Sequence, residues 1–152
     1  MKDLTEILKS HPFIQGFKEE HVELMVGCAS NVVFKAGEYL GREGQEANQF
    51  FIIREGKVAL DINAAQKGKI TIQTIESGEL IGWSWMVLPF RWHFDLRAVA
   101  DVRAIALDGA CLRKKCENDY ELGYTLSQKV MYIMDQRLKA SRIQLLDMYS
   151  KE

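Results

Sequence analysis

The sequence predicts a mainly β domain, a double-stranded β-helix or jelly-roll barrel, with helices before it and a long helix after it. Three observations predict this. Between residues 30 and 108, apolar side chains recur with a period of two, the mark of half-buried strands. Glycines punctuate that stretch at near-regular spacing, at Gly37, Gly44, Gly56, Gly68 and Gly78. On either side the apolar period lengthens to that of a helix. The 152 residues fit a single domain. It divides into N-terminal helices (1–28), a β-roll (30–108) with an insert at 78–100, and C-terminal helices (109–149).

Taken in order, residues 2–27 read as helical with one break. Leu4, Ile7 and Leu8 share a face, and His11-Pro12-Phe13 interrupts, because the residue before a proline avoids the helical region. Helical spacing resumes through Val22, Leu24 and Met25, and Gly27 is a stop signal. His11 and His21 are expected on the surface.

From Asn31 the reading is strand, turn, strand. Val33-Phe34 and Tyr39-Leu40 flank a turn at Gly37. Phe50-Phe51-Ile52-Ile53 is the most apolar strand. Residues 57–62 and 70–75 alternate, with a turn at Gly68 between them, and residues 102–107 form the last strand. After Asp108 the chain is helical, with an interruption expected at Gly123. Residues 126–149 contain no Gly or Pro. Val130, Met134, Leu138, Ser141, Leu145 and Met148 form one stripe on this helix. At about 1.5 Å per residue it is about 36 Å long. A small barrel leaves part of that stripe uncovered, so a homodimer through this helix is expected.

The net charge is −1, so no overall basic field draws the chain to nucleic acid or to anionic lipid. No apolar run reaches the roughly 18 residues of a membrane span. The N-terminus carries acids where a secretory signal would be basic and then apolar. Cys28, Cys111 and Cys116 are odd in number and contain no C-x-x-C pair, so free, mostly buried thiols are expected. A cytoplasmic location follows from these readings. No metal site is expected: His11, His21 and His93 are scattered, which also argues against a cupin-like metalloenzyme, the remote alternative.

The stretch 78–100 is the feature around which the rest is arranged. It holds all three tryptophans, Trp83, Trp85 and Trp92, and Pro89, one of two prolines. It begins as a strand ending at Gly82, breaks into a short insert, and resumes alternation at Phe94, Leu96 and Ala98. Such an insert between barrel strands builds a pocket.

These motifs in this order resemble the cyclic-nucleotide-binding domain of the catabolite-activator regulators. Phe34-Lys35-Ala36-Gly37-Glu38-Tyr39-Leu40, Arg42-Glu43-Gly44 and Phe50-Phe51-Ile52-Ile53-Arg54-Glu55-Gly56-Lys57-Val58 carry the likeness. Gly78-Glu79-Leu80-Ile81-Gly82 resembles the lead-in to the phosphate cassette, and residues 137–146 resemble the dimerisation helix. The resemblance implies a stand-alone sensory or regulatory module, not an enzyme. It would act by changing its dimer surface or docking on an unidentified protein partner. No helix-turn-helix follows the long helix, so DNA binding by this chain alone is not expected.

The family cassette reads roughly G-E-x-A-L and then P-R-x-A-[ST]. Its glutamate holds the ribose 2′-hydroxyl and its arginine the cyclic phosphate. Here Gly82 matches the glycine, but Trp83 stands at the glutamate position and Trp92 at the arginine position. His93 and Phe94 replace two small residues and Asp95 the hydroxyl. A buried phosphate without a counter-charge costs several kcal/mol, so tight binding of cAMP or cGMP is not expected. Either the tryptophans fill the vacated pocket or they line it for another ligand. The candidate pocket residues are Gly82, Trp83, Ser84, Trp85, Arg91, Trp92, His93 and Arg97. The alternative function is a genuine small-molecule or nucleotide sensor that uses Arg91 or Arg97 and the cassette backbone. No cofactor beyond such a ligand is implied.

Overall fold

Two short helices lead into the barrel in the computed structural model, which describes residues 3–150. Lys2, expected to begin the first helix, lies outside the described residues. Helix α1 spans Leu4–Ser10, and the Asp3 side chain caps it by accepting from the Glu6 amide at 2.9 Å. It stops where Pro12 forbids a helical His11. Helix α2 spans Glu19–Val26.

Eight strands follow: β1 Ala29–Phe34, β2 Tyr39–Gly41, β3 Gln49–Glu55, β4 Lys57–Ala64, β5 Gly68–Glu76, β6 Leu80–Ile81, β7 Asp95–Ala98 and β8 Val102–Asp108. They form two antiparallel four-stranded sheets, in orders β1-β8-β3-β6 and β2-β7-β4-β5. The expected turn glycines all take positive φ. Two helices complete the described residues, α3 Gly109–Asn118 and α4 Tyr120–Ser150.

Strand alternation creates two cores. On β3, Phe51 and Ile53 point into the barrel lumen with Val58, Leu60, Ile75, Leu96 and Ala104. Phe50 and Ile52 point outward under the helices with Leu8, Met25, Leu112, Leu122 and Leu126. Residues 50–53 are therefore buried on both faces, which is why they read as an unbroken apolar run rather than an alternation. Strand β5 departs from expectation: it is a sheet edge, and of its isoleucines only Ile75 is fully buried.

Three expectations are corrected. Cys28 and Cys111 are joined in a disulfide with Cα atoms 5.8 Å apart, and only Cys116 is free. The pairing of β1 with β8 explains it. Ala29 lies opposite Leu107, and the Asp108 amide bonds to the Cys28 carbonyl at 2.9 Å. Asp108 then caps α3, whose first turn carries Cys111. A pair 83 residues apart is invisible to a search for local cysteine spacing, and the thiols therefore lend no support to a cytoplasmic location.

Second, His11 and His21 are buried, not on the surface. His11 Nδ1 accepts from the Phe13 amide at 3.2 Å, so the ring closes the turn that Pro12 makes. His21 Nε2 lies 3.1 Å from Asp119 at the junction of α3 and α4. Third, α4 runs straight through Gly123. The glycine serves close packing instead: a Cβ there would stand 3.2 Å from Cys116 Cβ on α3.

Candidate ligand-binding site

The insert between β6 and β7 is built by backbone pairing with the loop at residues 44–47. After Gly82, at φ +94°, a single 3-10 turn spans Ser84–Met86. The Leu88–Pro89 peptide is cis and Phe90 has φ +57°. The return limb is then stitched down: the Ala47 amide donates to Phe90 O (2.7 Å), the Trp92 amide to Gln45 O (3.0 Å), and the Gly44 amide to Trp92 O (2.9 Å). Arg91 Nη1 adds a bond to Gly44 O at 2.8 Å. Trp92 is thereby held with its indole pointing into the lumen.

Two glycines accept that indole. A Cβ on Gly41 would stand 2.5 Å from Trp92 Nε1, and a Cβ on Gly82 would stand 2.7 Å from Trp92 Cη2. Both are closer than any side chain tolerates, so Trp92 occupies the space that only glycine leaves open. With the ring in place, the cavity bounded by Leu60, Ile81, Gly82, Trp83, Ser84, Trp92, Phe94, Leu96 and Arg137 measures about 20 Å³. That holds about one water. Small-molecule sites typically measure about 300–1,000 Å³; a separate space of about 340 Å³ lies outside the Trp92 ring, between Leu60, Trp83 and Phe94 of the barrel and Met134, Leu138 and Ser141 of α4.

The structure separates the candidate residues. Gly82, Trp83, Ser84 and Trp92 surround this cavity. The other four are corrected. Trp85 lies in the other core, its ring stacked on Phe50 at 5.0 Å, because the 3-10 turn swings it outward under α3. His93 and Arg91 are exposed, outside the cavity, and Arg91 donates to the Gly44 carbonyl. On β7, Leu96 and Ala98 face the lumen, so Asp95 and Arg97 face out. Arg97 pairs with Asp61 at 3.0 Å on the outer surface of the sheet. Asp95 accepts from the Glu43 amide at 2.9 Å there, with Lys69 3.6 Å away. Burial pushes the Asp61 carboxyl up, but bonds from Thr71 and Arg97 outweigh it and hold it below the usual carboxylate range.

Reading the sequence missed Arg137. It projects from α4 onto the cassette, donates to the Leu80 carbonyl, and lies with its guanidinium carbon 5.0 Å from the Trp83 ring centroid. Burial lowers its pKa to about 10, and Glu79 nearby opposes the shift. The available signal was a cation among apolar neighbours, seven residues after Val130 and four after Ile133, which places it on the body-facing side of the helix.

Val130 is also corrected. It is buried with Leu122 and Leu126 in the chain's own core and is not available to a second copy. Met134 is half-buried, whereas Leu138, Ser141, Leu145 and Met148 are exposed.

Two antiparallel four-stranded sheets, a cassette between β6 and β7 and a long C-terminal helix together define a β-roll domain. The chain belongs to the cyclic nucleotide-binding domain family, whose model matches residues 31–119. It is 26% identical over 112 residues to mouse cGMP-dependent protein kinase 2, a match covering 73% of this chain and 14% of that protein. Solved structures share the fold, and two illustrate it. A cyclic nucleotide-binding domain from Methylobacillus flagellatus KT superposes with a TM-score of 0.80 at 19% identity, covering 95% of this chain and 82% of that one. The Thermus thermophilus catabolite activator protein gives a TM-score of 0.71 at 19% identity, covering 91% of this chain and 63% of that one.

Proposed function

We propose that this chain is a regulatory module of the cyclic nucleotide-binding fold whose nucleotide pocket is closed by its own side chains. It binds cAMP and cGMP weakly or not at all and acts through its surfaces, not by catalysis. The observation that carries this reading is the Trp92 indole seated against Gly41 and Gly82, with about 20 Å³ left beside it. Trp83 and Trp92 also supply neither the carboxylate nor the cation that the family cassette uses. The cation on Arg97 is committed to Asp61 on the outside of the sheet. Isothermal titration calorimetry with both nucleotides tests the proposal.

The module is proposed to work as a homodimer through α4. Tyr124, Met131, Leu138 and Leu145 are exposed and fall seven residues apart. Ser127, Met134, Ser141 and Met148 follow each of them by three. This is the a/d seam of a parallel two-stranded coiled coil. From Leu138 to Ser150 every residue is exposed, so described parts of the same chain leave the C-terminal half of the seam uncovered. Val130, now placed in the core, drops out of it. Sedimentation velocity at micromolar concentration tests this, with a dimer as the expected result.

A further inference from the structure

A groove of about 690 Å³ runs along α4 where the helix faces the β5–β6 turn and residues 12–13. Its walls are mainly apolar, from Phe13, Leu80 and Ile133. At one end is Arg137, which has no carboxylate within salt-bridge distance among the described residues. Its partners are a carbonyl and the face of Trp83. The nearest acid, Glu79, accepts instead from the Glu76 amide at 3.1 Å in its own turn. A half-buried cation with unused donors, at the end of an apolar groove of ligand size, is matched by an anionic head on an apolar tail.

We propose that this groove binds a small monocarboxylate amphiphile, with its carboxylate on Arg137 and its chain along Phe13, Leu80 and Ile133. The guanidinium fork suits a carboxylate held through two N–H groups. Glu79 nearby disfavours a second negative charge, so a monoanion is preferred to a phosphate dianion. At about 100° per residue, the groove positions Lys129, Ile133 and Gln136 turn away from Leu138 and Leu145, while Arg137 stands at the border of the seam beside Ser141. The apolar length of the groove therefore stays open in the proposed dimer. It shares Arg137 with the cavity beside Trp92, but its apolar walls, Phe13, Leu80 and Ile133, lie outside that cavity, so the inference does not depend on nucleotides binding there. Arg137 touches both the groove and Trp83, so filling the groove would report directly to the cassette.

The test is titration with dodecanoate below its micellar range, read by calorimetry and by tryptophan fluorescence, since Arg137 lies over Trp83. One molecule should bind per chain with a dissociation constant below about 100 μM. Dodecylammonium and dodecanol should bind at least about tenfold more weakly, and dodecyl phosphate, measured where it is a dianion, likewise. Arg137→Gln should weaken dodecanoate about tenfold or more. Lys129→Gln, at the far end, should change it less than about threefold. Ala140→Trp fills the Arg137 end without removing the cation and should abolish binding, which guards against a folding defect in Arg137→Gln. No saturable dodecanoate binding, equal binding of dodecanol, or full binding to Ala140→Trp would each overturn the proposal. Cyclic AMP titrated in parallel keeps this outcome distinct from that of the lumen.

Discussion

Gly82 and Trp92 are fitted to each other: the indole Cη2 stands where it would be 2.7 Å from any Cβ placed on the glycine. Gly82 also has φ +94°, which an L side chain adopts at a cost. Substituting Gly82→Ala should therefore destabilise the fold by about 1–3 kcal/mol, through strain and overpacking together. Trp92→Ala should cost about 3–5 kcal/mol by leaving a cavity. In the double variant the overpacking part should largely disappear, because the clashing ring is gone. Urea denaturation of the four proteins measures this coupling. Additive losses would show that the ring does not lie against Gly82.

The Cys28–Cys111 bond closes a loop 83 residues apart in sequence. Its removal by Cys111→Ser should lower stability by about 2–4 kcal/mol. Unreduced, denatured protein should show one free thiol per chain, Cys116. Three titrating thiols would contradict the pairing.

Folding disfavours the charged form of His11. Burial lowers its pKa from an ordinary value of about 6.5, and its buried Nε2 has no hydrogen-bond partner among the described residues. The unfolded chain binds a proton near pH 6.5 that the folded chain resists. Its contribution to stability is thus full above about pH 6.5 and is lost as pH falls through that value towards the lowered folded pKa. The urea midpoint should fall between pH 7.5 and pH 5, and less steeply in His11→Gln. Parallel pH profiles for the two proteins would contradict this.

Two neighbouring positions on α4 should behave oppositely. Met131→Glu with Leu138→Glu should give a stable monomer, since both residues are exposed on the seam. Val130→Ala should leave the sedimenting mass unchanged and cost about 2 kcal/mol of stability. Dissociation caused by the valine change alone would return Val130 to the interface.

The barrel was legible because its signals are local. The Phe50–Ile53 run, the turn glycines and the change of period at Asp108 each follow from backbone chemistry within a few residues. What was not legible depends on pairing between distant segments. Cys28 meets Cys111 only because β1 pairs with β8. Arg97 leaves the pocket because β7 counts its alternation from Leu96, and Asp61 waits on the outer face. Trp85 and Trp92 looked alike in sequence, but a three-residue 3-10 turn sends them into different cores. Arg137 was hidden because a helical stripe shows which side is apolar and not what lies beneath it.

The closed lumen is tested most directly by calorimetric titration of the wild-type chain with cAMP and with cGMP. The account predicts dissociation constants above about 100 μM for both, since the cavity is about 20 Å³ and two charge-assisted contacts of about 1.5–3 kcal/mol each are missing. Micromolar binding of either nucleotide to the wild-type chain would contradict it, because Trp92 would then have to leave the space between Gly41 and Gly82.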